Sequence, residues 1–182
     1  QARWIEATVI GEKRAVRLCG LYLPNGNPVS FDPEGAPEAT GKYGYKLAWM
    51  ERMRARAAEL LATEDPVVLA GDYNIIPQPE DAARPETWVK DALFLPESRA
   101  AFRRIVNLGF TEAFRARVTG PGHYSFWDYQ AGAWERNNGI RIDHLLLSPQ
   151  AADLLRDVQI DRAVRGGDKP SDHVPVWIDL DA

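Results

Sequence analysis

A mixed α/β or α+β layered domain with a strongly twisted sheet is the fold class this sequence predicts. Three observations carry it. Two runs rich in β-branched and aromatic residues open the chain, one long helical stretch without Pro or Gly lies near its middle, and short apolar runs fill its second half.

Trp4 to Ile10 and Ala15 to Leu23, separated by Gly11-Glu12-Lys13, read as a hairpin. Pro24 to Gly44 is rich in Pro, Gly and Asn and reads as a long surface loop. Tyr45 to Thr63 places Leu47, Met50, Met53, Ala57, Leu60 and Leu61 at helical spacing. Val67 to Ala70 is fully apolar, as a buried central strand requires, and ends at Gly71. Ile75 to Pro96 holds four prolines and no periodicity, so it reads as a loop with short helical turns. Ser98 to Leu108, stopped by Gly109, reads as a second helix with Ser98 as its N-cap. The remaining strands are expected at Tyr124 to Tyr129, Ile140 to Leu147, Val158 to Ala163 and Val174 to Leu180, with a short helix over Pro149 to Leu155. No repeat or linker divides residues 1–182, so one domain is expected.

The 22 Lys and Arg against 26 Asp and Glu give a net charge of −4, which argues against an unselective polyanion binder but allows a local basic face. Arg99, Arg103, Arg104, Arg115 and Arg117 share their stretch with one acid, Glu112. A single Cys, Cys19, forbids an intrachain disulfide and a Cys-rich zinc site. No run approaches the roughly 18 apolar residues of a membrane helix, and Gln1-Ala2-Arg3-Trp4 is no signal peptide. A soluble, cytoplasmic protein with no membrane partner is the expectation. Because the chain opens on Gln1 and enters a strand almost at once, its N-terminus reads as a cut.

Chemistry collects where strands end. Gly71-Asp72-Tyr73-Asn74 follows the apolar strand, where alternation lets Asp72 and Asn74 face one ligand; a Gly-Asp turn is the other reading. In Asn137 to Ser148, Asp143 and Arg141 sit among Ile140, Ile142, Leu145 and Leu146, so Asp143 is a half-buried carboxylate that needs a partner. Arg141 is one candidate and His173 the other. Ser171-Asp172-His173 precedes the last strand, where Asp172 suits a metal and His173 acid–base or transition-state work against a carboxylate such as Asp143. His123 and His144 lack ligand spacing and read as core or surface residues. No Gly-x-Ser-x-Gly elbow supports a serine hydrolase.

Taken together, Tyr22 in Gly20 to Gly26, the Gly71 to Asn74 run, Phe114-Arg115 leading to Tyr124-Ser125-Phe126-Trp127-Asp128-Tyr129, Asn137 to Ser148 and Ser171-Asp172-His173 occur in order over almost the whole chain. In this the sequence resembles the exonuclease III family of DNA-repair nucleases, within the endonuclease/exonuclease/phosphatase superfamily. The resemblance implies a deoxyribonuclease-I-like layered β-sandwich flanked by helices, with its N-terminal part missing. It also implies metal-assisted hydrolysis of a DNA phosphodiester, 5′ to an abasic site or from a 3′ end. Asp72 then resembles the carboxylate that positions or deprotonates water, Tyr22 and Asn74 resemble donors to the phosphate, His173 contacts the phosphate, and Asp143 orients His173. Asp172 resembles a ligand of Mg²⁺ or Mn²⁺. Phe126 and Trp127 would stand against a flipped-out sugar. With a net charge of −4, binding of double-stranded DNA would rest on the local arginines Arg99, Arg103, Arg104, Arg115, Arg117 and Arg141, Arg115 and Arg141 foremost.

Departures accompany the matches. The family's N-terminal Asn and metal-binding Glu have no counterpart in these residues, and Glu112 stands where many relatives have Asp. An impaired enzyme, with exposed apolar sheet faces and self-association through them, is therefore expected. Two alternatives stand beside it: a phosphatase or phospholipid phosphodiesterase of the same superfamily, and a non-catalytic DNA-binding fragment.

Overall fold

The computed structural model describes residues 2–182. Strands β1 (Trp4–Ile10) and β2 (Ala15–Tyr22) form the expected antiparallel hairpin, with Trp4 opposite Leu21 and Ile10 opposite Ala15. Helix α1 (Gly41–Leu61) crosses over to β3 (Val67–Asp72), which runs parallel to β2. Helix α2 (Pro96–Val106) leads to the two-residue β4 (Thr111–Glu112), and β5 (Asp143–Leu147) inserts antiparallel between β3 and β4. The sheet order is β1-β2-β3-β5-β4. After the short α3 (Pro149–Ala152), β6 (Leu155–Ile160) and β7 (Val176–Leu180) form a second, two-stranded sheet.

Strand alternation sorts the core into two layers. Cys19, Leu21, Val67, Leu69 and Leu146 face the helices, where they meet Met50, Met53, Ala57 and Leu60 of α1 and Phe102 and Ile105 of α2. Val16, Val68, Leu145 and Leu147 face the other way and meet Leu155 and Val158 of the second sheet. Truncating one of the fully buried leucines to Ala, Leu69 for example, costs about 2–5 kcal/mol. The sandwich is splayed at one side, where Val9, Val16, Leu18, Trp177 and Leu180 line an apolar groove. Ile5, Val9 and Ile10 are exposed, and β1 has no outer neighbour among the described residues. These are the apolar faces and the bare edge the sequence leads one to expect.

Several elements differ from expectation for reasons visible in the packing. Helix α1 starts at Gly41, inside the expected loop, because Tyr43 is buried against Ala92 and Leu95 and so holds an extra turn in place. The second helix starts at Pro96, whose fixed φ suits a first turn, with Leu95 at its N-cap. Ser98 is not a cap: it is buried, and its hydroxyl donates to the Ala92 carbonyl at 2.7 Å. No regular strand forms over 124–129. Ser125 and Phe126 instead donate both backbone N–H groups to the Ile140 carbonyl. The strand expected from Ile140 begins only at Asp143, because the N–H groups of Ile142 and Asp143 are taken by Ser125 Oγ at 3.1 and 3.2 Å. The helix expected over Pro149 to Leu155 is a single turn ending at Ala152, capped by Ser148 Oγ, which accepts from the Ala151 N–H.

Candidate active site

Register brings the chemistry together. Tyr22 pairs with Asp72 across β2 and β3, and Asp72 pairs with Asp143 across β3 and β5, so three polar residues form one row across three adjacent strands. Alternation puts the row on the face turned toward the second sheet, beyond the last apolar residues of each strand. Gly71 permits the close approach beneath it. Its φ is +151°, and a Cβ there would collide with the Leu21 backbone.

His173 reaches the row from the loop before β7. Its Nδ1 lies 2.9 Å from Asp143 Oδ2, the same oxygen that accepts the Ser125 hydroxyl at 2.7 Å. Of the two partners the sequence allows for Asp143, the structure selects His173. Burial by itself would lower the His173 pKa, but the hydrogen bond and charge of Asp143, aided by Asp72 and Asp172, hold it above the ordinary imidazole value. Asp72 is shifted upward to about 6, first by burial and then by the Asp143 charge beside it.

Asn74 reaches Asp72 by a turn. The strand ends at Asp72, and Asn74 has φ +48°, so alternation along an extended strand is not what joins them. Its backbone N–H donates to Asp72 Oδ1 at 2.8 Å and its Nδ2 to Asp72 Oδ2 at 2.9 Å. Nδ2 also donates to the Leu23 carbonyl at 3.0 Å, while Oδ1 accepts from Asn25 Nδ2 at 3.1 Å. Both amide hydrogens are thus spent within the protein, on Asp72 and on the Leu23 carbonyl.

The aromatic pair divides. Phe126 is partly exposed and meets the His173 ring edge-on at 5.0 Å. Trp127 does not stand beside it: it is fully buried with Tyr124 and Trp134, so it offers no wall to a sugar. Tyr22 is half-exposed, with the Arg3 guanidinium 4.9 Å from its ring centre.

The expected DNA-binding arginines are also corrected. Arg141 is 1% exposed, donates to Asp81 and Glu112 at 2.9 and 2.8 Å, and offers nothing to a ligand. Arg115 spends its guanidinium on Asp81 and the Gly120 carbonyl. Both belong to a closed ion cluster behind β5. There His144 Nδ1 lies 3.1 Å from Arg141 Nη1 and 3.7 Å from Glu112 Oε1, and its Nε2 lies 2.9 Å from the Ile75 carbonyl. Burial opposes the charge on Glu112, but His144, Arg141 and the Arg115 N–H bring its pKa down to about 2.

Asp172 lies at the rim beside His173, partly exposed, with Ser171 Oγ 3.4 Å from its Oδ1. Oxygen donors of this kind suit Mg²⁺, which needs only one or two carboxylates beside water and phosphate oxygens. However, no group of three or more His, Cys, Asp or Glu side chains converges to hold a metal among the described residues. The donors have the right chemistry but do not by themselves form a cage. Residues that sequence reasoning missed are Ser125, which anchors Asp143, and Asn25 and Lys46, which hold Asn74. The signals for them were the Tyr124 to Tyr129 motif around Ser125, the Pro24-Asn25-Gly26 turn, and the place of Lys46 in line with Met50 and Met53.

The helix-backed sheet thus carries an Asp–Asn turn and a carboxylate–histidine pair on one rim. The profile of the Endonuclease/Exonuclease/phosphatase family matches residues 5–173, and the chain belongs to that family. The family is one of divalent-metal-dependent enzymes. Within it the chain falls in the exonuclease III group. It is 34% identical to exodeoxyribonuclease III of Haemophilus influenzae over 187 residues, 99% of this chain and 67% of that protein. Among solved structures it resembles the 3′ phosphatase NExo from Neisseria, which is bound to product DNA hairpin; TM-score is 0.87 and identity 32% over 100% of this chain and 66% of that one. It also resembles an AP endonuclease from Archaeoglobus fulgidus, with TM-score 0.84 and identity 31% over 99% of this chain and 65% of that one. The chain spans about two thirds of the length of each of these proteins. No described helix is long and apolar enough to cross a membrane.

Proposed function

We propose that this chain carries the reacting rim of a DNA-repair phosphodiesterase that cuts 5′ to an abasic site or removes nucleotides from a 3′ end. The observation that carries the reading is the single-face row of Tyr22, Asp72 and Asp143 with His173 bonded to its last member. Asp72, kept more basic than an ordinary carboxylate and aligned by Asn74, accepts the proton of an attacking water. His173, whose proton Asp143 favours, faces the phosphate as a cationic donor. The half-exposed Tyr22 hydroxyl supplies a second donor, and Phe126 beside His173 stands as the aromatic wall for the sugar. A bound Mg²⁺ or Mn²⁺, with Asp172 among its ligands, would supply positive charge for the developing phosphate oxyanion.

The double-stranded DNA partner is supported by the hairpin-bound neighbour. That neighbour is described as a 3′ phosphatase, which favours a 3′-phosphomonoester as the second substrate for the same row. The test is Mg²⁺-dependent turnover of three duplexes carrying an abasic site, a recessed 3′ hydroxyl or a 3′ phosphate. Abasic-strand incision or 3′ nucleotide release that falls about 1,000-fold in Asp72→Asn is the expected result. Phosphate release alone would move the assignment to the monoester, and turnover of none of the three would overturn the reading.

A further inference from the structure

Lys46 is the one lysine with no exposed surface, and nothing in the proposed chemistry uses it. It enters from the second turn of α1, the element that bridges β2 and β3 behind the reacting row. Its Nζ donates to the Asn74 carbonyl at 2.6 Å and to the Asn25 carbonyl at 2.9 Å. Those two residues are themselves joined by Asn25 Nδ2 and Asn74 Oδ1. The ammonium therefore closes a ring across the two loops that follow β2 and β3.

We infer that Lys46 is a positioning residue for the Asp72 carboxylate, acting through the left-handed turn at Asn74; the inference rests on the nuclease reading above. Three features of the geometry support it. Asn74 holds φ +48°, a left-handed conformation that asparagine tolerates, and Lys46 binds the carbonyl on the far side of that residue, where it can hold the turn in register with Asp72. Every polar atom of the Asn74 side chain is then committed, Nδ2 to Asp72 and Leu23 and Oδ1 to Asn25. The fit leaves no slack: a Cβ on Gly26 would come within 2.7 Å of the Lys46 Cδ, so the loop lies directly on the lysine stem.

A buried ammonium is costly unless paired, and here two carbonyls and the charges of Asp91 and Asp72 surround it. Burial nonetheless draws its pKa down to about 7. An amine that has lost one proton still carries two N–H groups, enough for both carbonyls, so the positioning does not depend on its charge. Asn27 extends the same network by bonding both the Asn25 side chain and Asp91.

The test is Lys46→Met, which keeps the stem and removes both donors, compared with Lys46→Gln, which restores a single donor on a shorter stem. Two readouts are taken on the full chain: the ¹H–¹⁵N signals of the Asn74 backbone and side-chain amides, and kcat and KM on the abasic duplex. Lys46→Met is expected to keep a folded spectrum, displace the Asn74 signals, and lower kcat about 100-fold with KM within a factor of about two. Lys46→Gln is expected to recover part of both, and it supplies the readout if Lys46→Met does not fold. Unmoved Asn74 signals, or a change confined to KM, would overturn the inference. If the wild-type chain cleaves no DNA, the nuclease reading falls, while the Asn74 signals still decide whether Lys46 holds this turn.

Discussion

Two charged clusters sit back to back across strand β5, and neighbouring residues of one strand feed them. Asp143 points to the open rim and bonds His173; His144 points behind the sheet into the closed cluster of Arg141, Asp81, Glu112 and Arg115. Both contain a carboxylate, a histidine and further charges, so residue type does not separate them. Exposure separates their centres. Asp143 and His173 have side chains 18% and 32% exposed, whereas Arg141 and Asp81 are at 1% and 0%, with Arg115 at the edge of its cluster at 18%. The closed cluster sets each carboxylate against an arginine, as buried charge requires, and leaves Arg115 Nε without a partner. The open one keeps surface on which a ligand can act.

Substitutions sharpen this division. Arg141→Ala is expected to cost about 4 kcal/mol of folding stability, within the 3–5 range for breaking a buried pair, because Asp81 and Glu112 would remain charged without it. Urea denaturation measures this, and a cost under about 1 kcal/mol would show that the cluster does not brace the fold.

Asp143→Asn should do the reverse. Turnover on the abasic duplex falls about 100-fold, equivalent to about 2.8 kcal/mol of transition-state stabilisation, while the urea midpoint hardly moves. Equal damage to folding would merge the two clusters into one structural unit. Ser125→Ala removes the hydroxyl that serves Asp143 and two backbone N–H groups, and about 1.5 kcal/mol of stability should go with it. Turnover should also drop, since Asp143 loses its fixed bearing on His173.

The smallest effect lies far from both clusters, on the exposed β1 edge, and serves as the control. Glu6 is held near pKa 2, below its ordinary 4.5, chiefly by the Arg56 guanidinium. A depressed carboxylate contributes stability that is present above pH 4.5 and lost as the pH falls from there toward 2. Because Arg56 is 42% exposed, that contribution is about 1 kcal/mol. Glu6→Gln should therefore lower stability at pH 7 by that amount and flatten the acid dependence over the same window. An unchanged acid profile would assign that window to other carboxylates.

Much of the fold was legible because local pattern and tertiary outcome agree. The hairpin of β1 and β2, the apolar β3 and the body of α1 follow from strand alternation and helical spacing that the core then satisfies. Asp72, Asp143 and His173 were legible as residues because three polar groups at strand ends coincide in one chain, in the order of the exonuclease III pattern. Their arrangement was not. Placing Tyr22, Asp72 and Asp143 in one row depends on the register between strands up to about 120 residues apart in the chain, which no local pattern encodes.

Tertiary structure alone sent Arg141 and Trp127 inward and left His173 and Phe126 at the rim. The reason is that arginine and tryptophan serve binding and burial equally well, so their neighbours decide which. Lys46 shows the limit most plainly. On its helix it falls in line with Met50, Met53, Ala57 and Leu60 on the buried face, but only the meeting of two distant loops beneath α1 makes it a buried donor.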